Sequence, residues 1–239
     1  MNVPALDAVA ATQQDRRAAR AFLGHGGLAM KHIGLAMIGV VLAGAITAAG
    51  AQVGTAAADV EHQKAGEEKA VNLCSTCHGP RGISTSPEFP ILAAQRRGYL
   101  ESQLEAFRAK TREEKIAHDF MWGIAGDLDD HMIDSVARYY AAQPAAPGKP
   151  GDPTLIAKGK QLFEQGVPDR GIPSCTTCHG ADATGVADFP RLAGQHAKYV
   201  VKQIQYIQSL VRKAPVMHGI VKDMTPAEME AVATHVQSK

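Results

Sequence analysis

The sequence has few cysteines, few aromatic residues and almost no net charge. All 4 cysteines of the 239 residues fall in two short motifs, so none is left for a structural disulfide. Aromatic residues make up 5% of the chain, which leaves thin cores for small domains unless another group fills them. The formal net charge of +1 gives no bulk attraction to nucleic acid or to anionic lipid. We therefore expect no nucleic-acid partner.

Two kinds of pattern are also missing. No segment of any length alternates apolar and polar residues in the manner of a β-strand, so the chain is predicted to be all-α. Neither a Gly-x-Ser-x-Gly nucleophile elbow nor a glycine-rich phosphate-binding loop is present. The sequence thus offers no familiar hydrolytic or phosphoryl-transfer site, and we predict no catalytic residue.

What the chain does contain is one unusual motif, twice. Residues 74–78 read Cys-Ser-Thr-Cys-His, and residues 175–179 read Cys-Thr-Thr-Cys-His. A C-x-x-C-H run is typical of c-type haem attachment, in which two thiols add to the vinyl groups of one porphyrin and the histidine binds iron. The predicted attachment residues are Cys74, Cys77, Cys175 and Cys178, and the predicted iron ligands are His78 and His179. The cofactors would be two covalently bound haem c groups.

Two other uses of a C-x-x-C pair were considered. A thioredoxin-like redox pair would accompany a βαβ pattern, which the sequence lacks. A zinc site of the C-x-x-C type would place its two pairs about 15–20 residues apart, whereas Cys77 and Cys175 are 98 positions apart. Both motifs continue with glycine, and together they use every cysteine. Haem attachment is the better interpretation.

An internal duplication follows the two motifs. Phe-Pro-Ile-Leu-Ala-Ala-Gln at 89–95 matches Phe-Pro-Arg-Leu-Ala-Gly-Gln at 189–195, and Met-Trp-Gly-Ile at 121–124 matches Met-His-Gly-Ile at 217–220. Apolar spacing predicts helices over 59–73, 98–110 and 129–142 in the first copy. A proline- and glycine-rich stretch between the copies predicts an extended linker. The predicted boundaries are 59–142 for domain 1, 143–153 for the linker and 154–239 for domain 2.

The residues before the first domain are predicted to direct export. From Met30, two basic residues precede the apolar run 33–49, and Ala49-Gly50-Ala51 resembles a cleavage site. Residues 30–51 are therefore predicted to be a signal peptide, with an uncleaved membrane anchor as the alternative. Residues 1–29 show no clear pattern and are treated as an unassigned or mis-annotated extension. Both alternatives place the remaining chain outside the cytoplasmic membrane.

A sixth iron ligand is predicted from the duplication. Met121 and Met217 occupy equivalent positions, and methionine sulfur favours ferrous iron. The other methionines, Met132, Met224 and Met229, each align with a residue that cannot serve in the same way in the other copy, and we expect them to pack in the core. His118 and His218 are the rival ligands, but neither has a histidine in the equivalent position.

Three more pairs of equivalent residues could support a haem. A proline carbonyl can accept a hydrogen bond from the Nδ1–H of an iron-bound histidine, and Pro90 and Pro190 are candidates for this role, with a simple turn as the alternative. Buried propionates need hydrogen-bond donors. The candidate donors are Gln95, Gln195, Tyr99 and Tyr199, with ordinary packing as the alternative.

The chain resembles the dihaem cytochrome c4 family of class I cytochromes c. The resemblance rests on two C-x-x-C-H motifs, each followed by Phe-Pro-x-Leu-Ala-x-Gln and then by a Met-x-Gly-Ile run, and it covers residues 59–239 apart from the linker. It implies two cytochrome c domains about a pseudo-twofold axis, with His78/Met121 and His179/Met217 ligation. It also implies a periplasmic electron carrier, soluble or attached to the membrane, that serves a terminal oxidase or a quinol-oxidising complex.

Chemistry leads to the same first hypothesis. An iron with both axial positions filled by protein is closed to substrates and is left with one-electron transfer at the haem edge. The alternatives are a haem subunit of a periplasmic dehydrogenase complex, or a dihaem enzyme with one open iron site. A haem-based sensor is a third hypothesis, although the sequence offers no output domain.

Overall fold

The computed structural model describes residues 58–239, which lie within one compact unit of the chain, 50–239. The predicted extension at 1–29 and the predicted signal peptide at 30–51 lie outside the described residues. Helices form the regular structure of residues 58–239, and no strand occurs among them beyond two isolated bridges. None of the helices described is long and apolar enough to cross a membrane. The all-α prediction is confirmed.

The N-terminal half (residues 58–142) and the C-terminal half (residues 153–239) each contain five α-helices among the described residues. In the N-terminal half, α1 (58–69) continues through a π-helical turn, Ala70–Cys74, into α2 (Ser75–His78), followed by α3 (Arg97–Arg108), α4 (Trp122–Gly126) and α5 (Asp130–Ala141). The C-terminal half consists of α6 (Pro153–Gln165), α7 (Thr176–His179), α8 (Ala197–Gln208), α9 (Pro215–Val221) and α10 (Pro226–Gln237). The three helices predicted from apolar spacing in the first copy are present.

Ordinary capping residues stand at the starts of α5, α6 and α10. Asp129 accepts a hydrogen bond from the Met132 amide at the start of α5, and Asp152 caps α6 in front of Pro153. Thr225 and Glu228 form a reciprocal capping box at the start of α10. These local signals fix where these three helices begin.

The first and last helices of each half cross at a glycine. A Cβ atom on Gly66 of α1 would lie 2.3 Å from the Ser135 Cβ atom, and one on Gly159 of α6 would lie 1.9 Å from the Ala231 carbonyl oxygen. Only glycine permits such close backbone approach. The two halves therefore share one helix crossing, as expected from the duplication.

The segment between the halves is ordered against them. Residues 143–152 of the predicted linker contain no helix, whereas its last residue, Pro153, begins α6. Ala146 is buried against Ile91 and Ala93 of the N-terminal half, whereas the Lys149 amide donates a 2.9 Å hydrogen bond to the Gln237 carbonyl of the C-terminal half. The linker thus packs on both halves.

Candidate functional site

One continuous cavity of about 400 Å³ extends through both halves. Its lining is mostly apolar. In each half, every α-helix that follows the cysteine motif contributes residues to this lining. All eight residues predicted from the sequence as attachment sites or iron ligands line this cavity: Cys74, Cys77, His78, Met121, Cys175, Cys178, His179 and Met217. The fold therefore brings both sets of four together around one cavity.

The two motif histidines are held by proline carbonyls. The Nδ1 atom of His78 lies 2.9 Å from the Pro90 carbonyl oxygen, and that of His179 lies 2.9 Å from the Pro190 carbonyl oxygen. Since a carbonyl only accepts, Nδ1 carries the proton, and Nε2 of each ring keeps its lone pair. Both prolines thus occupy the place predicted for them.

Burial further prepares the two imidazoles for a metal. Burial lowers the pKa of His78 and of His179, and the hydrogen bond to the proline carbonyl opposes this effect in part. Within the part of the chain described, the Nε2 atom of His179 is buried without a hydrogen-bond partner. A neutral ring with an unpaired buried lone pair is the form in which histidine binds iron.

The first cysteine of each motif is a thiol rather than an activated thiolate. All four cysteines are half-buried and free of disulfides. Burial raises the pKa of Cys74, and it raises that of Cys175 to about 11. A redox-active dithiol requires a depressed pKa, so the geometry does not favour the thioredoxin-like alternative. Residues 58–239 also contain no group of three or more histidine, cysteine or acidic side chains arranged to hold a metal ion.

The candidate sixth ligands differ in their access to the cavity. Met121 ends a π-helical turn, Ala117–Met121, and Met217 lies in α9; both line the cavity. Met224 also lines it in the C-terminal half, although its counterpart in the duplication is a leucine. Met132 and Met229 do not line it and pack in the core, as predicted.

Neither rival histidine lines the cavity. The His118 side chain is 63% exposed and contacts Asp119. The His218 ring is bonded through Nδ1 to the Ile207 carbonyl oxygen at 2.9 Å. The methionines at equivalent positions therefore remain the better candidates for the sixth ligand.

A cluster of buried polar residues lies where the two halves meet at the cavity. Arg112 and Arg212 are 7% and 9% exposed, and both line the cavity. Their backbones form an isolated antiparallel β-bridge. Arg112 is paired with Glu114, which is fully buried, whereas Arg212 donates to the Tyr99 hydroxyl and to the Gln103 side chain, both at 2.8 Å. Sequence analysis missed these residues, although an offset of 100 relates the two arginines, as it does the Phe-Pro motifs.

This cluster fits the carboxylates of a porphyrin. The described cluster contains two buried guanidiniums and one buried carboxylate, so it holds an excess of positive charge next to an apolar cavity. Burial raises the pKa of Tyr99, but the Arg212 and Arg112 guanidiniums outweigh this effect and hold the pKa below its usual value. Buried cations require anionic partners, and propionates that enter from the cavity would supply them.

The two candidate glutamines are used differently from the prediction. The Gln95 side chain is bonded to the backbone of Arg191, and the Gln195 side chain is bonded to the backbone of Ile91. Each amide thus joins the opposite half at both its oxygen and its nitrogen. The role as propionate donors stays a prediction for Tyr99 and Tyr199, which line the cavity.

Comparison with known proteins matches these features. A family model described as cytochrome c matches residues 156–239. Cytochrome c4 of Thiocapsa roseopersicina is 37% identical over 188 residues, which are 76% of this chain and 95% of that protein. The solved structure of Acidithiobacillus ferrooxidans cytochrome c4 superposes with a TM-score of 0.66 at 36% identity, covering 70% of this chain and 98% of that one. The thiosulfate dehydrogenase electron acceptor of Thiomonas intermedia is 34% identical over 168 residues, 67% of this chain and 75% of that protein.

Proposed function

The chain belongs to the cytochrome c4 family, and from this premise we propose that it carries single electrons between redox proteins outside the cytoplasm. Members of this family are electron carriers with two tandem cytochrome c domains, each with one covalently bound haem c. The shared cavity lined by all eight predicted residues supports electron transfer most directly.

The eight residues are proposed to act as two sets of four. Cys74 and Cys77 hold the first haem, with His78 and Met121 as the axial ligands of its iron. The second haem is assigned in the same way to Cys175, Cys178, His179 and Met217. Each haem, when bound, supplies an iron that changes oxidation state by one electron. Two protein ligands on each iron would leave no position for an external ligand.

The partners are proposed to be a terminal oxidase or a quinol-oxidising complex, in the periplasm. Export by the predicted segment at 30–51 supports this location. Leu73 and Phe120 line the cavity of the N-terminal half and are still 41% and 46% exposed, so apolar side chains surround its mouth. A small apolar rim suits the weak, transient encounters of redox proteins.

A second candidate function is favoured by one comparison. The Thiomonas intermedia relative is named a thiosulfate dehydrogenase electron acceptor, and it covers two thirds of this chain. This protein would then receive its electrons from a periplasmic dehydrogenase, with the same haem ligation. The two candidates differ in the electron donor and share the internal chemistry.

An optical spectrum of the exported, mature protein tests the proposed function. We expect two covalent haems per chain, both low-spin, with the methionine–iron charge-transfer band in the oxidised form. Carbon monoxide added to the reduced protein should leave the spectrum unchanged. A high-spin or carbon monoxide-binding haem would contradict the closed carrier and favour an enzyme with an open site. Rates of reduction by thiosulfate dehydrogenase and by a quinol-oxidising complex would separate the two donors.

A further inference from the structure

Each half of the protein contacts the other through a glutamine whose side-chain amide forms two hydrogen bonds with the backbone of one residue. The Gln195 Oε1 atom accepts the Ile91 N–H at 2.9 Å, and its Nε2 donates to the Ile91 carbonyl at 2.9 Å. In the opposite direction, Gln95 Oε1 accepts the Arg191 N–H at 2.6 Å, and its Nε2 donates to the Arg191 carbonyl at 2.9 Å. The two pairs of hydrogen bonds are related by the duplication.

The two residues bonded by the glutamines, Ile91 and Arg191, directly follow the prolines whose carbonyls accept hydrogen bonds from the motif histidines. The Pro90 carbonyl and the Ile91 N–H belong to one planar peptide group, whose oxygen lies 2.9 Å from His78 Nδ1. The Pro190 carbonyl and the Arg191 N–H form the equivalent peptide next to His179, again at 2.9 Å. A glutamine of one half therefore bonds the very peptide that orients the histidine of the other half.

We propose that Gln95 and Gln195 are crossed positioning residues, each of which sets the reduction potential of the haem in the opposite half. The inference rests on the proposed function, because it requires His78 and His179 to bind iron. The glutamine oxygen accepts the peptide N–H, and this polarises the peptide and strengthens its carbonyl as an acceptor for the histidine Nδ1–H. A stronger Nδ1 hydrogen bond raises the basicity of the ligand, which stabilises ferric iron.

The glutamines are rigid enough for this role. Both are only 7% exposed. Each Oε1 also accepts the N–H of the residue that follows it, Arg96 or His196, at 2.9 and 3.1 Å. With the side-chain oxygen and nitrogen both engaged, the amide has one orientation, and so does the peptide that it grips. The potential of each haem thus depends on how the two halves are docked.

The test replaces each glutamine by methionine, which has a similar length but no amide. In Gln195→Met, the haem of the N-terminal half should show the larger upward shift in potential; in Gln95→Met, the larger shift should move to the haem of the C-terminal half. For a one-electron couple, a tenfold change in the reduction equilibrium corresponds to about 59 mV. The two potentials are measured separately in a redox titration followed by NMR, with the haem methyl resonances assigned to each half.

Gln203→Met is the matched control. Gln203 is also 7% exposed and accepts hydrogen bonds from Arg112 and Arg212, but it does not contact the peptides after the two prolines. The Gln203→Met substitution weakens the same interface but leaves both glutamine–peptide contacts in place. It should therefore not reproduce the crossed pattern of potential shifts expected from Gln95→Met and Gln195→Met. Equal shifts of both haems in Gln95→Met and Gln195→Met, or a larger shift in the haem of the same half, would overturn the proposal.

Two further measurements separate this result from other failures. The unmodified protein must first show two low-spin haems with the charge-transfer band, since their absence refutes the proposed function and not the crossed contact alone. The Nδ1–H resonance of the histidine in the opposite half should then exchange faster with solvent in each variant. Should a methionine variant not fold, Gln95→Asn and Gln195→Asn keep the amide but are too short to grip both backbone groups, and the same crossed pattern is expected.

Discussion

The phenol oxygen of Tyr140 in α5 lies 3.2 Å from the Ala70 carbonyl oxygen of the first π-helical turn and donates a hydrogen bond to it. The duplication places Val236 and Phe163 at the equivalent positions of the C-terminal half. The large ring therefore lies on the last helix in the N-terminal half and on the first helix in the C-terminal half. All four residues are at most 1% exposed, so the same space is filled from opposite sides in the two halves.

This exchange predicts coupling between the two positions. Tyr140→Val alone leaves a cavity and should lower the free energy of unfolding by about 2–4 kcal/mol. Ala70→Phe alone overpacks the crossing and should cost about 1–3 kcal/mol. The double variant copies the C-terminal half, and its cost should fall below the sum by about 0.5–3 kcal/mol. Urea unfolding of the four haem-loaded proteins measures this, and simple additivity would show that the positions are independent.

Identical substitutions at two methionines test the sixth ligand of the C-terminal half. Both Met217 and Met224 line the cavity, but only Met217 has a methionine as its counterpart. Met217→Leu should remove the charge-transfer band of one haem, lower its potential and permit carbon monoxide binding. Met224→Leu should leave these optical properties in place. The reverse result would assign the ligand to Met224.

The two buried arginines should differ in their effect on stability. Arg112→Met leaves Glu114 fully buried without its charged partner, and this type of loss costs about 3–5 kcal/mol. Arg212→Met removes a guanidinium whose partners within the protein are neutral side chains and leaves no buried protein carboxylate unpaired, so its cost should be smaller. Urea unfolding compares the two variants. The double variant Arg112→Met/Glu114→Gln should recover part of the loss, and an absence of recovery would contradict the pairing argument.

A buried histidine between the halves predicts a loss of stability in acid. The His196 Nε2 atom lies 2.9 Å from the Ser84 hydroxyl, and burial, followed by repulsion from Lys149, lowers the pKa of His196 in the folded state. Below the unfolded-state pKa of about 6.5, the unfolded chain binds more protons than the folded one, so the free energy of unfolding decreases as pH falls. Above that pH the contribution is complete.

His196→Asn should therefore reduce the change in unfolding free energy between pH 7.5 and pH 5. Urea unfolding at both pH values measures this change for the variant and for the unmodified chain. An identical pH dependence in His196→Asn would assign the effect to other groups, such as the buried His235.

The sequence predicted the features that depend on short spacing. The C-x-x-C-H motifs, the Phe-Pro and Met-x-Gly-Ile repeats and the apolar faces of the helices each lie within a few turns of the chain, where covalent geometry and helix period fix what they can do. The same local signals gave the prolines that hold His78 and His179. The π-helical turns before Ser75 and Trp122 were not predicted, because they depend on how the neighbouring helices pack.

The sequence by itself determined the all-α duplicated fold and the eight residues around the cavity, because repetition and motif spacing are visible without knowing which distant segments meet. Only the tertiary structure decided that Gln95 and Gln195 bond the opposite half, that Arg112 and Arg212 meet at the cavity, and that Met224 shares the cavity with Met217. The first two arrangements join residues 96 to 104 positions apart. Such contacts depend on the relative orientation of two packed halves, for which no local spacing in the chain carries a signal.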